Sequence, residues 1–315
     1  LAVADAAATA AVRPRLPADN FRRIITIVSL AAPVVLIAVV LIVGKNALPA
    51  VNRFGTSFLV TRTWDPVRDQ FGALPMIYGT LVSSAVAMVI AIPVGLGVAL
   101  FLAEPGAAGI RGAIGIGVEL LAAIPSVVYG IWGLLVLAPW LLAHFSQPVS
   151  QRLGSFPLFG APAGQLNLLI AGIVLAIMVL PTLASISRDV IKAVPGGMRE
   201  AGFALGATWW ETMRKVVLPA ARTGIFGAAI LALGRALGET MAVTMVIGNT
   251  PRTPASLFQP GYTLAATIAN EFREATGTIY PAALLYLGLV LMLVTLVVNI
   301  LALLLVRSVS SEARI

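Results

Sequence analysis

The sequence contains no cysteine and a single histidine, His144. Without thiols there is no disulfide, no thiolate metal ligand and no thiol nucleophile. One histidine excludes HExxH-type zinc sites and any pair of imidazole ligands. Charge is scarce as well. Only 11% of the 315 residues are charged, against about 25% in soluble domains. Lysine occurs at Lys45, Lys192 and Lys215 alone, followed by Asn46, Ala193 and Val216. None has the Ser or Thr that follows the lysine of a Walker A loop, so the chain has no phosphate-cradling P-loop. Neither a His/Asp/Ser constellation nor paired aspartates within the apolar runs supports an intramembrane enzyme.

What the chain has in excess is apolar surface: 59% of its residues are hydrophobic. A soluble fold cannot bury that much, whereas a bilayer solvates it. The formal net charge is +8, but the basic residues sit in short stretches between apolar runs. That pattern reads as membrane topology and contact with anionic lipid headgroups, not as nucleic-acid binding.

Residues 1–20 are Ala-rich with Pro14 and Pro17 and read as a disordered lead. Ile24–Val43 is uncharged and long enough for one span; it exceeds a signal-peptide core and is expected to be retained. Five more spans are expected at Met76–Ala103, Ala113–Leu142, Leu166–Ser187, Val217–Ile247 and Pro281–Val306. Pro93, Pro125 and Pro181 lie inside them, as proline often does in membrane helices. With the N-terminus inside, 13 of the 21 basic residues fall on the cytoplasmic side, 7 on the other and Arg235 within a span. The asymmetry favours six spans with both termini cytoplasmic. The expected organisation is a lead over 1–23, a first transmembrane helix over 24–44 and a periplasmic loop over 45–75. A core of five further spans covers 76–307, with a cytoplasmic loop at 188–222, and a cytoplasmic tail covers 308–315. No inverted repeat relates the halves, which weakens a secondary-transporter reading.

Two segments carry function. The first is the long loop between spans four and five. Pro195-Gly196-Gly197 breaks the preceding helix, and Met198–Met213 is expected to form a short amphipathic helix at the membrane surface, with Trp209 and Trp210 suited to an interface. Glu200 is placed to cap or dock it, and Gly206 to let it turn. An interfacial anchor would explain the same pattern. The second segment holds Arg235 and Glu239. Four residues apart on one helix, they would share a face. Each is costly opposite lipid and so is expected to face a bundle interior or a water-filled cavity. An internal ion pair that holds helices together is one reading. An anion pathway is the other, because a guanidinium donates two parallel hydrogen bonds to an oxyanion. Gly234 and Gly238 form a GxxxG that permits close helix approach.

The loop resembles the Glu-Ala-Ala-x3-Gly-x9-Ile-x-Leu-Pro signature of permeases from ATP-binding-cassette (ABC) importers. It reads Glu200-Ala201-Gly202, then Gly206, then Val216-x-Leu218-Pro219, with Gly202 in place of Ala and Val216 in place of Ile. The stretch Gly234-Arg235-Ala236-Leu237-Gly238-Glu239-Thr240-Met241 looks like the fifth span of PstC-type phosphate permeases. Phe71–Pro75 with Tyr78-Gly79-Thr80-Leu81, and Ile124-Pro125-Ser126-Val127-Val128-Tyr129-Gly130, are similar to the same family.

The resemblance implies an all-α integral membrane fold, the six-helix type I ABC importer transmembrane domain. It implies that Glu200, Ala201, Gly202, Gly206, Leu218 and Pro219 couple to an ATPase, and that Arg235, Glu239 and Thr240 line a phosphate pathway. The partners it implies are a PstA-type sister permease, two copies of a PstB-type cytoplasmic ATPase that carries the ATP and Mg, a PstS-type extracytoplasmic binding protein, and membrane lipids. No cofactor and no metal belong to this chain, and the location is the bacterial inner membrane. A permease for molybdate or sulfate, and a secondary transporter or channel, are the alternative readings. His144 reads as an interfacial residue.

Overall fold

The computed structural model describes residues 18–103 and 108–311, and most of the expected lead and tail lies outside them. The described residues form two units, which divide after Lys45. Helix α1 (Ala18–Phe54) begins in the first and ends in the second. The apolar side chains of Phe21 and of Ile25 to Ile42 are exposed, the surface of a helix solvated by acyl chains. The helix runs past the expected end at residue 44. Ala47 and Ala50 are fully buried, so packing, and not the length of the apolar run, sets where it stops.

The second unit contains α2 (Leu74–Ala103), α3 (Ala108–Ala123), α4 (Ser126–Leu153), α5 (Leu168–Lys192), α6 (Gly196–Ala204), α7 (Trp209–Gly238), α8 (Met241–Val246), α9 (Leu264–Glu271) and α10 (Ile279–Ser311). Six helices, α1, α2, α4, α5, α7 and α10, are long and apolar enough to cross a membrane. Among them α5 is the most enclosed. It packs against α2 and α7, and Gly172 and Gly224 permit the contact: a Cβ at either would lie within 2.4 Å of the Val86 or Val190 side chain. The central cluster joins Met88, Tyr129, Val174, Met178, Ala232 and Val246. A second cluster ties Ala50, Phe58, Phe71 and Met76 to Leu264 and Leu287 at the end of the bundle where α5 begins. A third joins Ala99, Ile191, Met213 and Val217 where α5 ends.

The structure departs from the expected third span. Val118 to Tyr129 is not one helix: α3 stops at Ala123, and Pro125 has ψ 141°. The membrane-length helix is α4, which starts there and continues to Leu153. Proline lacks the N–H that would continue α3, and the Tyr129 hydroxyl donates to the Leu121 carbonyl (2.8 Å) across the gap. Pro93 and Pro181, by contrast, stay inside α2 and α5.

Three other prolines widen their helices without breaking them. In α4, residues 133–137 and 142–146 form π turns that precede Ala138-Pro139 and Gln147-Pro148. In α7, residues 213–217 do the same before Leu218-Pro219. The proline ring would collide with the carbonyl four residues earlier, and the wider turn moves that carbonyl away.

The segment from 247 to 263 is irregular yet firmly built. Gly248 (φ 92°) and Asn249 (φ 46°) turn the chain in the left-handed region. The segment then supplies acceptors to the free N–H groups that begin α5: Leu168 N–H donates to the Gln259 carbonyl (3.1 Å) and Leu169 N–H to that of Leu257 (3.0 Å). Asn167 caps the same helix through Oδ1, which accepts from Ile170 N–H (3.1 Å). Tyr262 passes so close to α2 that a Cβ on Gly79 would lie 2.1 Å from its carbonyl oxygen. The Thr80 hydroxyl accepts from Leu264 N–H (3.0 Å). The Tyr78-Gly79-Thr80 stretch therefore has a packing role. Phe258, which the charge pattern leaves in an external loop, is fully buried.

Candidate translocation site and coupling loop

The expected fifth span, Val217–Ile247, is also interrupted, and this changes the geometry of its charges. Helix α7 ends at Gly238, and Glu239 has ψ 130°. Arg235 and Glu239 therefore do not share a helical face. Glu239 instead serves the next helix: its Oε1 accepts from Ala242 N–H (3.3 Å) at the start of α8. Thr240 closes the joint, its hydroxyl donating to the Gly238 carbonyl (3.3 Å) and its carbonyl accepting from the Thr244 hydroxyl (2.8 Å).

Arg235 sits in the last turn of α7 and is exposed on the surface of this chain. Among the described residues it makes no ion pair and no hydrogen bond. The internal Arg–Glu pair is thus absent, and the guanidinium is left to face outward from a span. The two interrupted spans meet here. A Cβ on Gly130 would lie 2.7 Å from Met245 Sδ and 3.1 Å from Ala242 Cα, so α4 and α8 are in close backbone contact. Tyr129 is the residue that sequence reasoning did not single out, although it lies in the quoted Ile124–Gly130 stretch.

The GxxxG of Gly234 and Gly238 does not bring helices together within this chain. A Cβ at Gly238 would meet nothing within 4 Å, and one at Gly234 only Asn299 Nδ2 at 3.9 Å. The close approaches are made at Gly79, Gly130, Gly172 and Gly224 instead.

The loop after α5 differs from the single Met198–Met213 helix expected. It is α6, a reversal, and the start of α7. The reversal is a Schellman turn: Gly206 N–H donates to the Phe203 carbonyl (2.9 Å) and Ala207 N–H to that of Gly202 (3.1 Å). Gly206 has φ 79°, which a residue with a Cβ adopts only at a cost, and open space surrounds it. Helix α7 then starts on a capping box. Thr208 Oγ1 accepts from Glu211 N–H (3.3 Å), and Thr208 N–H donates to Glu211 Oε2 (2.9 Å).

Gly202, the first departure from the importer signature, packs against Thr212, where a Cβ would lie 3.0 Å from the side chain. Glu200 and Ala201 are exposed; among the described residues Glu200 makes no side-chain hydrogen bond and so does not cap α6. Arg199 does that work for α5, donating from Nη2 to the Ile191 carbonyl (2.7 Å). Leu218 and Pro219 follow the wide turn that joins the loop to the span. Met198, Phe203, Leu205 and Trp210 are exposed, with Leu205 88% accessible, so the loop presents apolar side chains outward.

His144 donates from Nδ1 to the Trp140 carbonyl (3.0 Å) and stacks on the Trp140 ring. Among the described residues no three His, Asp or Glu side chains gather as a metal site.

Six membrane-length helices, a central bundle and a helical loop between the fourth and fifth spans define the transmembrane domain of an ABC importer. Residues 91–311 match the family described as binding-protein-dependent transport system inner membrane component, and the chain belongs to it as a multi-pass inner-membrane permease subunit. Among its relatives is the phosphate transport system permease protein PstC of Mesorhizobium japonicum. It is 49% identical over 253 residues, which cover 79% of this chain and 77% of the relative. The protein of the same name from Haemophilus influenzae is 43% identical over 287 residues, covering 90% of each chain. Similar folds occur in a bacterial alginate ABC transporter solved with an alginate-bound periplasmic protein (TM-score 0.58, 16% identity, 93% of this chain and 97% of that one). The inward-facing MetNI methionine ABC transporter is a second (TM-score 0.53, 19% identity, 74% and 94%).

Proposed function

We propose that this chain is the permease subunit of an importer that carries inorganic phosphate into the cytoplasm, driven by ATP bound with Mg to a partner ATPase. The observation that carries the reading is Arg235, an exposed guanidinium in a span, without an ion pair and beside an interrupted helix. A charge that costs about 2.5–3.5 kcal/mol opposite lipid is expected to face a pathway. Similarity to PstC permeases over most of the chain supports phosphate as the anion.

Arg235 would receive the phosphate, with Thr240 and Glu239 shaping the joint beyond it. A PstA-type sister subunit would close the pathway against α7, and a PstS-type binding protein would deliver phosphate from outside. Two PstB-type ATPases would receive the loop: Gly206 sets its reversal, Glu200, Ala201 and Gly202 form its first helix, and Leu218-Pro219 joins it to the pathway helix. The loop and both termini would be cytoplasmic, as the basic residues favour.

The test is uptake of labelled phosphate into right-side-out vesicles carrying the complex, loaded with or without ATP, and with molybdate or sulfate as external competitor. ATP-dependent uptake that neither competitor blocks is the expected result. Interrupted spans also occur in secondary transporters, and uptake that persists without ATP would overturn the importer reading.

A further inference from the structure

Burial does little to hold α6 in place. Of its nine residues only Gly202 is buried, and the apolar side chains of Met198 and Phe203 are exposed. Residues 193–195 join it to α5, and Pro195, with ψ 133°, breaks helical continuity between the two. A helix this short is not stable alone in water, so contacts with its neighbours fix where it lies.

One contact is made to α7, where Gly202 packs against Thr212. The other reaches back to α5. Arg199 Nη2 donates to the Ile191 carbonyl (2.7 Å). Ile191 is fully buried in the cluster that includes Val194, Met213 and Val217, so the acceptor belongs to the packed base of the loop. It also lies in the last turn of α5, where the helix dipole favours a cation. Arg199 makes no ion pair among the described residues, and its Nε is buried without an acceptor. A buried donor left unpaired costs stability. Stability therefore does not by itself account for an arginine here, whereas its reach from one helix to the other does.

We infer that Arg199 is a positioning residue for coupling: its bond to Ile191 fixes α6 to α5, so that displacement of the loop moves the fourth span together with α7. The inference rests on the importer reading. With the bond in place, α6 is anchored to both of the spans it connects. Without it, residues 193–195 become a hinge that absorbs a displacement of α6 before it reaches α5, the most enclosed of the spans. Arg199 is half-buried and directed at α5, so its removal leaves the outer surface of the loop, with Met198, Glu200, Phe203 and Leu205, unaltered.

Hydrogen exchange of the full chain in nanodiscs reads the bond directly. A charge-assisted hydrogen bond corresponds to roughly a tenfold to hundredfold change in the docked population of α6. The amides of residues 196–204 should exchange faster by that order in Arg199→Leu. Arg199→Lys keeps the charge but loses the planar fork and should fall between Arg199→Leu and the parent. Lys192→Gln removes an exposed cation from the same turn of α5 and should exchange as the parent does. Equal acceleration in Lys192→Gln would place the effect in the field of the charges and overturn the inference, as would unchanged exchange in Arg199→Leu. In the complex, phosphate taken up per ATP hydrolysed should fall severalfold in Arg199→Leu while the ATPase stays bound and hydrolysis continues, and Arg199→Lys should restore part of it. An unchanged ratio, or loss of the ATPase from the complex, overturns the coupling role. Uptake by the parent that needs no ATP overturns the importer reading and the coupling role with it. Exchange is read on the chain alone, so that failure is distinguishable from failure of the Arg199 bond.

Discussion

Arg235→Ala is the perturbation that most directly separates a pathway residue from a structural one. It breaks no ion pair, because Glu239 lies beyond the end of α7 and bonds to Ala242 N–H. Removing an outward-facing charge that costs about 2.5–3.5 kcal/mol in lipid should leave assembly unchanged or favour it. Uptake should move the other way. A singly charged phosphate 4 Å from a guanidinium gains about 1 kcal/mol in water and about 4 kcal/mol at an effective dielectric of about 20. At about 1.4 kcal/mol per factor of ten, the loss ranges from roughly fivefold to roughly a thousandfold. The exposed setting in the single chain favours the lower figure, and enclosure by a sister subunit raises it. Arg235→Lys should fall between parent and Arg235→Ala, since an ammonium keeps the charge but loses the planar fork. Exchange of the two charges, Arg235→Glu with Glu239→Arg, should not restore uptake. The assay is phosphate uptake in vesicles, normalised to the amount of assembled complex. Near-normal uptake by Arg235→Ala at equal complex would refute the pathway role.

Other perturbations test the framework around that site. Gly79→Ala places a Cβ 2.1 Å from the Tyr262 carbonyl and should destabilise the chain by about 1–3 kcal/mol, as overpacking does; unchanged unfolding in a detergent titration would contradict the close approach. Gly206→Leu meets no steric obstacle but must hold φ near 79°, at a cost of about 1–2 kcal/mol. It should lower ATP-coupled uptake while insertion and amount stay normal, and full coupling would show that the reversal is dispensable. For orientation, Val67→Cys in the cysteine-free chain is the suitable probe, since Val67 is 94% exposed whereas Phe258 is buried. An impermeant thiol reagent should label Val67→Cys from outside the cell and leave Leu205→Cys unlabelled; the reverse pattern would invert the topology.

The six spans were legible because apolar composition and length alone define them, and the importer signature marked the loop. The interruptions were not. Pro93, Pro125 and Pro181 look alike in sequence, yet only Pro125 ends a helix, because neighbours accommodate the other two within closely packed α2 and α5. At Gly238-Glu239-Thr240 the signal was present but overlooked: glycine followed by residues whose side chains accept from backbone N–H groups marks a stop and a restart. The same holds for Thr208-x-x-Glu211, a capping box placed after Gly206. The four-residue spacing of Arg235 and Glu239 misled for the same reason, since it assumes a helix that the intervening cap terminates. The role of Tyr129 depends on two helices meeting in space, and periodicity along one chain does not encode that.

The wide turn before Leu218-Pro219 has a further consequence, for angular phase. Each residue of an α-helix advances the chain by about 100°. A turn that holds one residue more therefore rotates everything beyond it by about that amount relative to a regular helix. In α7 this offset lies between the capped start at Thr208 and the guanidinium at Arg235. The direction in which the loop leaves the span and the direction in which the charge faces are thus set against each other by one proline. The span works as a shaft whose two ends are keyed at a fixed angle. A substitution at Pro219 that let the turn tighten would leave every residue in the sequence unchanged in order but rotate one end of the shaft against the other.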